Sequence, residues 1–336
     1  MGVAVTESLR ALLLRQDNDY RPITSRFEAE NRHGWHEAGV TPTRPCASVV
    51  IPAYNVAYCL PAVLDALSVQ THTPEIIVVD DGSTDGTADI ARRHTCVDQV
   101  ICLPEHRGAA TARNVGAVAA SQNTVVFMDA DMVIPPHVIA DLAARADDAA
   151  VLLGFRHNVA HGTPLPDAPD IYEDHRVRWR PPVGTPLLYS GIVLDEPIDG
   201  WPLEHTRDLI DLGYGRTYYD WDLPRMVVTA LLAVPRHAFF EVGGFDPEFG
   251  RLGWGMEDTH LGAKLIAAGL VVIPVRQAAG FHLDPPDAAA LWQSKLASWP
   301  ATLRHYRSLL EAPPPQRSAL FTAETLRLLS RCEVNR

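Results

Sequence analysis

The sequence predicts an α/β protein whose core is a mostly parallel sheet covered by helices on both faces. Three observations lead to this prediction. Apolar runs alternate with segments of helical spacing, the runs are continuously apolar as in strands buried on both faces, and acidic residues follow several of them. Ligands bind at the carboxyl ends of such strands, so the acidic residues indicate where a site is expected.

The first half of the chain has the clearest alternation. The predicted strands are 47–51, Glu75–Asp80, 99–103 and 125–129. The predicted helices are 58–70, a segment from the DGSTDG turn to about His94, and 108–120. Pro61 falls in the first turn of the first helix, where its missing N–H costs little.

The second half is less regular. Residues 226–234 and 270–275 are predicted strands, and 237–242 and 257–268 are predicted helices, the last ended by Gly269. Residues 157–224 are rich in Pro, Tyr, Trp and Asp, which indicates loops and a small insert over the sheet. Residues 1–45 and the last fifty residues are expected to be helical extensions, the latter with a break at 313–315.

Composition excludes some classes of protein. The 336 residues carry 29 basic and 41 acidic side chains and a net charge of −12, so nucleic acid is not an expected partner. The apolar runs are too short to span a bilayer, and the first residues do not resemble a signal peptide. The five cysteines show no CxxC spacing, which is typical of free thiols in a reducing compartment. A cytoplasmic protein without an integral membrane segment is expected.

The sharpest chemical motif is MDADM, in which Asp129 and Asp131 leave an apolar strand. Two carboxylates two residues apart point the same way and repel each other unless a cation neutralises them. Oxygen ligands suit Mg²⁺ or Mn²⁺. His282, in GFHLDPP, is a candidate third ligand, although a single histidine is more often structural.

Polar residues also follow two earlier strands, in VVIPAYN and VVDDGSTDGT. Tyr54 could stack on a nucleotide base, and Asp80 or Asp81, next to Asn55, could accept hydrogen bonds from base or ribose. The same turn also contains the residues that begin a helix, and both roles can hold together. Arg113, in RGAATARN, could pair with a diphosphate or with the acidic cluster.

The motif GRLGWGMEDTHL combines a glycine-rich loop with the start of a helix. Three glycines around Trp254 predict a mobile loop that could close over a sugar and stack on its apolar face. Glu257 and Asp258 then open the helix, where one of them could take a proton from an acceptor hydroxyl. The alternative is an ordinary capped amphipathic helix, which leaves the Gly-Trp-Gly unexplained.

In order and spacing, VVIPAYN, VVDDGSTDGT, GAATARN and MDADM resemble family 2 glycosyltransferases with the GT-A fold, a Rossmann-like, mostly parallel sheet flanked by helices. GGFDPEFGRLGWGMED and GFHLDPP resemble chondroitin-polymerase-type and β-1,4-galactosyltransferase-type enzymes. The resemblance implies a nucleotide-sugar-binding half at 46–150 and an acceptor-binding and catalytic half of the same domain at 151–285. Residues 1–45 and 286–336 are then the helical extensions.

The resemblance also implies roles for individual residues. Asp258 is the implied base, and Glu257 the implied acceptor contact. Mn²⁺ or Mg²⁺ is bound by Asp129, Asp131 and His282. The implied donor contacts are Pro52, Tyr54, Asn55, Asp80, Asp81, Arg113, Asp129, Ala130 and Trp254. One departure is Met256, where the relatives often have Gly.

The function expected from the resemblance is metal-dependent, inverting transfer of a sugar from a nucleoside diphosphate, with UDP favoured, to an acceptor hydroxyl. A retaining enzyme of the same fold is the alternative, as is a non-catalytic homologue that binds sugar nucleotides. The acceptor, whether small molecule, peptide or glycan, does not follow from the sequence.

Overall fold

The computed structural model describes residues 7–42, 47–174, 176, 187–189, 192–194, 223–314 and 319–335. Its strands are β1 (Ala47–Ala53), β2 (Glu75–Asp80), β3 (Gln99–Cys102), β4 (Thr124–Met128), β5 (Met132–Val133), β6 (Ala150–Val159), β7 (Leu187–Tyr189), β8 (Ile192–Leu194), β9 (Leu231–Pro235), β10 (Val271–Leu283) and β11 (Glu333–Asn335). Strands β7 and β8 pair with each other, and the other nine form one sheet in the order β11-β3-β2-β1-β4-β9-β6-β10-β5.

Helices cover both faces of this sheet, as predicted. They are α1 (Leu9–Leu13), α2 (Arg21–Asn31), α3 (Leu60–Ser68), α4 (Thr87–Arg93), α5 (Ala109–Ala119), α6 (Val138–Arg145), α7 (Leu223–Met226), α8 (Arg236–Glu241), α9 (Glu248–Leu252), α10 (Glu257–Ala267), α11 (Ala288–Glu311) and α12 (Ala319–Leu329). One apolar core lies on the α5 and α10 face, and a second lies on the α3 and α6 face.

The predicted parallel strands are confirmed. Strand β1 lies between β2 and β4 and is parallel to both, and β3 is parallel to β2 on its other side. Because Ala53 pairs with Asp80, the loops that follow β1 and β2 leave the sheet side by side. Helix α5 packs closely over these strands, since a Cβ at Gly116 would lie 2.3 Å from Cγ1 of Val50.

The residues after β4 differ from the prediction in three places. The predicted strand 226–234 is a strand only from Leu231, because Met226 ends helix α7 and 227–230 form a turn and loop. This strand, β9, is antiparallel to both β4 and β6. The predicted strand 270–275 continues to Leu283 beyond an irregularity between Pro274 and Ala279. Helix α6 and strand β6 were missed. Most of the predicted insert at 157–224 lies outside the described residues.

The terminal extensions are helical, as predicted, and their described parts pack into the fold. Arg145 and Asp141 of α6 are buried partners 2.8 Å apart, and they bind backbone groups of the N-terminal segment from Trp35 to Val40. Strand β11, near the C-terminus, pairs antiparallel with β3. Within the described residues we find no helix long and apolar enough to cross a membrane.

Candidate active site

The three predicted metal ligands lie together at the end of β4. Strand β4 ends at Met128, and a turn closed by a 3.1 Å hydrogen bond from Met132 N–H to the Asp129 carbonyl carries Asp131. Strand β10 pairs with β5 so that His282 lies opposite Met132. One ligand atom from each of Asp129, Asp131 and His282 can be chosen so that all three lie within 4.8 Å of one another.

This donor set fits a divalent cation. Nδ1 of His282 and Oδ1 of Asp131 are both buried, and neither has a hydrogen-bond partner among the described residues. Nε2 of His282 lies 3.3 Å from Oδ1 of Asp131. Carboxylates suit Mg²⁺ and Mn²⁺, and an imidazole also suits transition metals, so the three side chains are chemically suited to a divalent cation.

The two carboxylates have different electrostatic environments. Burial raises the pKa of Asp131, and the charge of Asp129 adds to the rise while His282 and Lys295 oppose it. Burial would also raise the pKa of Asp129, but Arg113 and His282 outweigh it and lower that pKa. A cation would favour the ionised form of both groups.

Arg113 connects the metal ligands with the candidate base. Its Nη2 donates to Oδ1 of Asp129 at 2.8 Å, and its Nη1 lies 3.7 Å from Oε1 of Glu257 and 3.6 Å from Oδ1 of Asp258. Its Nε and Nη1 are buried without a hydrogen-bond partner among the described residues. Arg113 therefore contacts the acidic cluster, and its contact with a diphosphate stays a prediction.

Asp258 and Glu257 form the first turn of α10, as predicted. Asp258 accepts hydrogen bonds from the Thr229 hydroxyl at 2.8 Å and the Thr229 N–H at 3.2 Å. Burial raises the pKa of both carboxyls, with Asp258 adding to the rise at Glu257, whose pKa reaches about 7. Thr229 was missed by the sequence analysis, because its role depends on where β9 begins.

The Gly-Trp-Gly loop packs along α11. The Trp254 N–H donates to Oγ of Ser298 at 2.9 Å, and Lys295 lies over the Trp254 ring, 5.1 Å from its centroid. A Cβ at Gly253, where φ is +129°, would lie 2.2 Å from Cβ of Ser298. Close packing therefore explains why residue 253 is a glycine, whether or not the loop moves. Mobility of the loop stays a prediction. Nothing in the motif pointed to Lys295.

The loops that follow β1 and β2 are tied to each other. Asn55 adopts a left-handed backbone with φ of 52°, and its Oδ1 accepts the Thr84 N–H at 2.9 Å. Asp80 is buried and accepts a 3.3 Å hydrogen bond from the Ser83 N–H through Oδ2. Its Oδ1 has no hydrogen-bond partner among the described residues, so Asp80 retains an acceptor for a ligand.

Asp81 is bonded to the backbone of the neighbouring loop. Its two carboxylate oxygens accept the N–H groups of Arg107 and Gly108, both at 2.8 Å, and Nδ1 of His106 lies 2.9 Å from Oδ2. The His106 ring stacks on exposed Tyr54 with 3.9 Å between centroids. Asp81 thus holds the 105–108 loop, and its direct contact with a donor stays a prediction.

The remaining two donor-site predictions concern residues next to this edge of the sheet. Pro52 is half-buried within β1 and pairs with Val79 of β2. Ala130 lies in the turn between Asp129 and Asp131, is almost fully buried, and accepts a 3.4 Å hydrogen bond from Sγ of Cys59 through its carbonyl. Their contact with a donor is a prediction.

The fold and this set of residues define a class of enzyme, which comparison with known proteins identifies. Residues 48–187 match the model of glycosyl transferase family 2, and residues 215–282 match the model described as N-terminal domain of galactosyltransferase. These matches confirm the resemblance to family 2 glycosyltransferases that the sequence predicts.

Among curated relatives, validoxylamine A glucosyltransferase of Streptomyces hygroscopicus subsp. limoneus is 32% identical over 265 residues, 73% of this chain and 53% of the relative. Chondroitin synthase of Escherichia coli is 26% identical over 71% of this chain and 35% of its own length. The chain therefore spans about half of the first of these relatives and about a third of the second.

Solved structures support the GT-A fold. The mannosyltransferase PcManGT of Pyrobaculum calidifontis, in complex with GDP-Man and Mn²⁺, has a TM-score of 0.50 at 19% identity, over 96% of this chain and 85% of that one. TarS of S. aureus in complex with UDP-GlcNAc has a TM-score of 0.54 at 18% identity, over 85% and 71% of the two chains. The predicted fold class is confirmed.

Proposed function

We propose that this chain transfers a sugar from a nucleoside diphosphate, with UDP as the favoured nucleotide, to an acceptor hydroxyl, and that the transfer depends on a divalent cation. The observation that carries the proposal is that Arg113 joins a set of candidate metal ligands to Asp258. The names of the compared proteins agree with it, since they include a glucosyltransferase and complexes with UDP-GlcNAc and with GDP-Man and Mn²⁺.

In this proposal Asp129, Asp131 and His282 would hold Mn²⁺ or Mg²⁺, which would supply positive charge near the leaving diphosphate. Lys295 acts electrostatically on Asp131 and is suited to a second contact with the diphosphate. The Nε and Nη1 groups of Arg113, which have no hydrogen-bond partner among the described residues, are suited to a third contact with the diphosphate. Tyr54 with His106 and the free oxygen of Asp80 would bind the nucleoside.

Asp258 is the proposed base. The acceptor oxygen attacks the anomeric carbon, its proton passes to the Asp258 carboxylate, and the bond between that carbon and the diphosphate oxygen breaks with inversion. Thr229 holds the carboxylate that takes the proton, and Glu257 orients the acceptor. Trp254 covers the apolar face of the sugar. A retaining mechanism is the alternative, and the configuration of the product distinguishes the two.

Acceptor choice is assigned to the 157–224 segment, which contains the residues between the two family matches, 188–214. The acceptor is a small molecule, a peptide or a glycan. The division at residues 45, 150 and 285 and the cytoplasmic location also stay predictions.

The test is a screen of UDP-glucose, UDP-GlcNAc and GDP-mannose for binding and slow hydrolysis, with Mn²⁺ and with EDTA. We expect one donor to bind and to be hydrolysed only when Mn²⁺ is present. Binding without any hydrolysis or transfer would favour the non-catalytic homologue, and equal binding in EDTA would overturn the metal dependence. A product that keeps the donor's anomeric configuration would overturn inversion.

A further inference from the structure

A second cavity, of about 680 Å³, lies between α5, the 243–247 loop, α10, α11 and α12. It is separate from the candidate active site, because none of Asp129, Asp131, Glu257, Asp258 and His282 lines it. Its apolar walls are formed by Val115, Phe245, Pro247, Leu309, Phe321 and Leu328. A volume between about 300 and 1,000 Å³ is typical of pockets for small organic molecules.

Two polar side chains are buried in this apolar surrounding. Lys264 is 2% exposed, and its ammonium donates to the carbonyl of Gly244, which uses one of its three N–H groups. His260 is 3% exposed, and its Nδ1 has no hydrogen-bond partner among the described residues. Both residues line the cavity, one turn apart on α10. Buried polar groups are normally satisfied, so this pair indicates a missing partner.

The charge of the cavity is opposite to that of the whole protein. The lining contains the cationic side chains Arg107, Lys264, Arg327 and Arg331. Its two acidic groups are Asp246 and Glu324, of which Asp246 already pairs with Nε2 of His305 at 2.9 Å. A positive lining in a chain of net charge −12 favours an anionic ligand.

We propose that this cavity binds a small amphiphilic anion, with an apolar body against Val115, Phe245 and Leu328 and a carboxylate or phosphate that accepts hydrogen bonds from Lys264 and His260. Burial lowers the pKa of Lys264 to about 7, with Asp246 opposing the shift. An anionic group beside the amine would restore the charged form and accept hydrogen bonds from N–H groups other than the one that binds Gly244. The proposal does not depend on the function proposed for the active site.

The cavity can be tested with 8-anilinonaphthalene-1-sulfonate, an aromatic anion whose fluorescence reports binding to the folded protein. We expect one saturable site from which decanoate or decyl phosphate displaces the probe, and the stronger of the two identifies the preferred head group. Decanol should compete at least about tenfold less well, because it lacks a charged acceptor. UDP with Mn²⁺ should not displace the probe.

Lys264→Met is the informative variant, and Lys295→Met is its matched control, since the sequence contains no other lysine. We expect Lys264→Met to bind the probe about tenfold or more weakly and Lys295→Met to bind it as the wild type does. Near-UV circular dichroism checks that both variants are folded. Unchanged affinity in Lys264→Met, equal competition by decanol, or displacement by UDP would overturn the proposal.

A second measurement uses the unmodified protein and does not depend on the folding of a variant. Acetic anhydride at neutral pH should acetylate both lysines, and peptide mapping reads each site separately. We expect the probe to protect Lys264 by about tenfold in rate and to leave Lys295 unprotected. Equal labelling of Lys264 with and without the probe would contradict an anion bound at this amine.

Discussion

Two pairs of carboxylates lie at the ends of two strands on either side of β1, and their surroundings differ. Asp80 ends β2 and Asp81 follows it, and Asp81 accepts two backbone N–H groups and lies beside His106. Asp129 and Asp131 follow β4, where their partners are the side chains of Arg113 and His282. Asp81, in the first pair, is bonded mainly to the backbone of the 105–108 loop. The second pair faces Arg113 and His282, which both have side-chain nitrogens without a hydrogen-bond partner among the described residues.

The difference separates two uses of the same residue type. A carboxylate that accepts backbone N–H groups fixes a loop, whether or not a ligand is present. Carboxylates gathered at one buried place repel each other, and that cost persists until a cation neutralises them. We therefore read the β2 pair as mainly positioning and the β4 pair, with Glu257 and Asp258, as the part that acts on substrate.

The largest effect is expected at Asp258. Asp258→Asn keeps the shape of the side chain but removes the group proposed to take the acceptor proton. Turnover should fall by about 10²- to 10⁴-fold, and donor affinity should survive because the donor contacts lie on other elements. Steady-state kinetics and calorimetric donor titration measure the two quantities.

Glu257→Gln is the matched neighbour of Asp258→Asn. It should weaken acceptor binding and leave turnover at saturating acceptor closer to the wild-type value. Near-normal turnover in Asp258→Asn, or an equal loss of turnover in both variants, would show that Asp258 is not the base.

Replacing one aspartate of each pair by asparagine, which exchanges one carboxylate oxygen for an NH₂ group, tests the comparison of the two pairs directly. Asp81→Asn should lower the free energy of unfolding by about 1.5–3 kcal/mol, because it weakens hydrogen bonds between a charged group and two backbone N–H groups. Asp131→Asn removes one of the buried carboxylates that repel each other, so in metal-free protein it should leave that free energy unchanged or raise it. It should also remove Mn²⁺-dependent binding of UDP. Urea denaturation in EDTA and calorimetric titration measure both. The reverse pattern would show that the two pairs have been assigned the wrong way round.

The raised pKa of Glu257 predicts a pH dependence of stability. The folded protein binds this proton more tightly than the unfolded chain, since the pKa rises from 4.5 to about 7. The free energy of unfolding should therefore fall as the pH rises through this range. Glu257→Gln cannot lose that proton, so its stability relative to the wild type should rise over the same range. Urea denaturation of metal-free protein measures the difference, and a difference that does not vary with pH would contradict the assignment.

The smallest effect is expected at Thr229, which acts through Asp258. Thr229→Val removes the hydroxyl donor and keeps the size of the side chain. Turnover should fall by about tenfold, the equivalent of about 1.4 kcal/mol, with donor affinity and Mn²⁺ dependence unchanged. Thr229→Ser retains the hydroxyl and should restore most of the rate. Equal losses in the two variants would point to packing rather than to positioning of the base.

The sequence predicted those parts of the molecule whose signal is local. Strands β1, β2 and β4 are continuous apolar runs, and α5 is a helix of small residues because Gly116 must approach Val50. The residues of the MDADM and GMED motifs also lie in one cluster, with His282 beside them. Their assembly follows from the rule that ligands meet at the carboxyl ends of parallel strands.

What the sequence did not reveal depends on pairing between distant segments. Thr229 contacts Asp258 because β9 runs antiparallel beside β4, and Lys295 reaches Trp254 because α11 packs along the loop. His106 was left unassigned although it stacks on Tyr54, since no periodicity relates residues 52 positions apart. His282 lies within β10 rather than after it, because the strand continues past its irregularity.

The proposed function rests on the binding of a divalent cation by Asp129, Asp131 and His282, together with a nucleoside diphosphate. Titration of Mn²⁺, followed by electron paramagnetic resonance with and without UDP, tests it most directly. We expect one Mn²⁺ per chain, bound more tightly when UDP is present. His282→Ala should need about tenfold or more Mn²⁺ for half-saturation, and Asp131→Asn should show no UDP-dependent binding. Titration curves that overlay for the wild type and both variants would contradict the account.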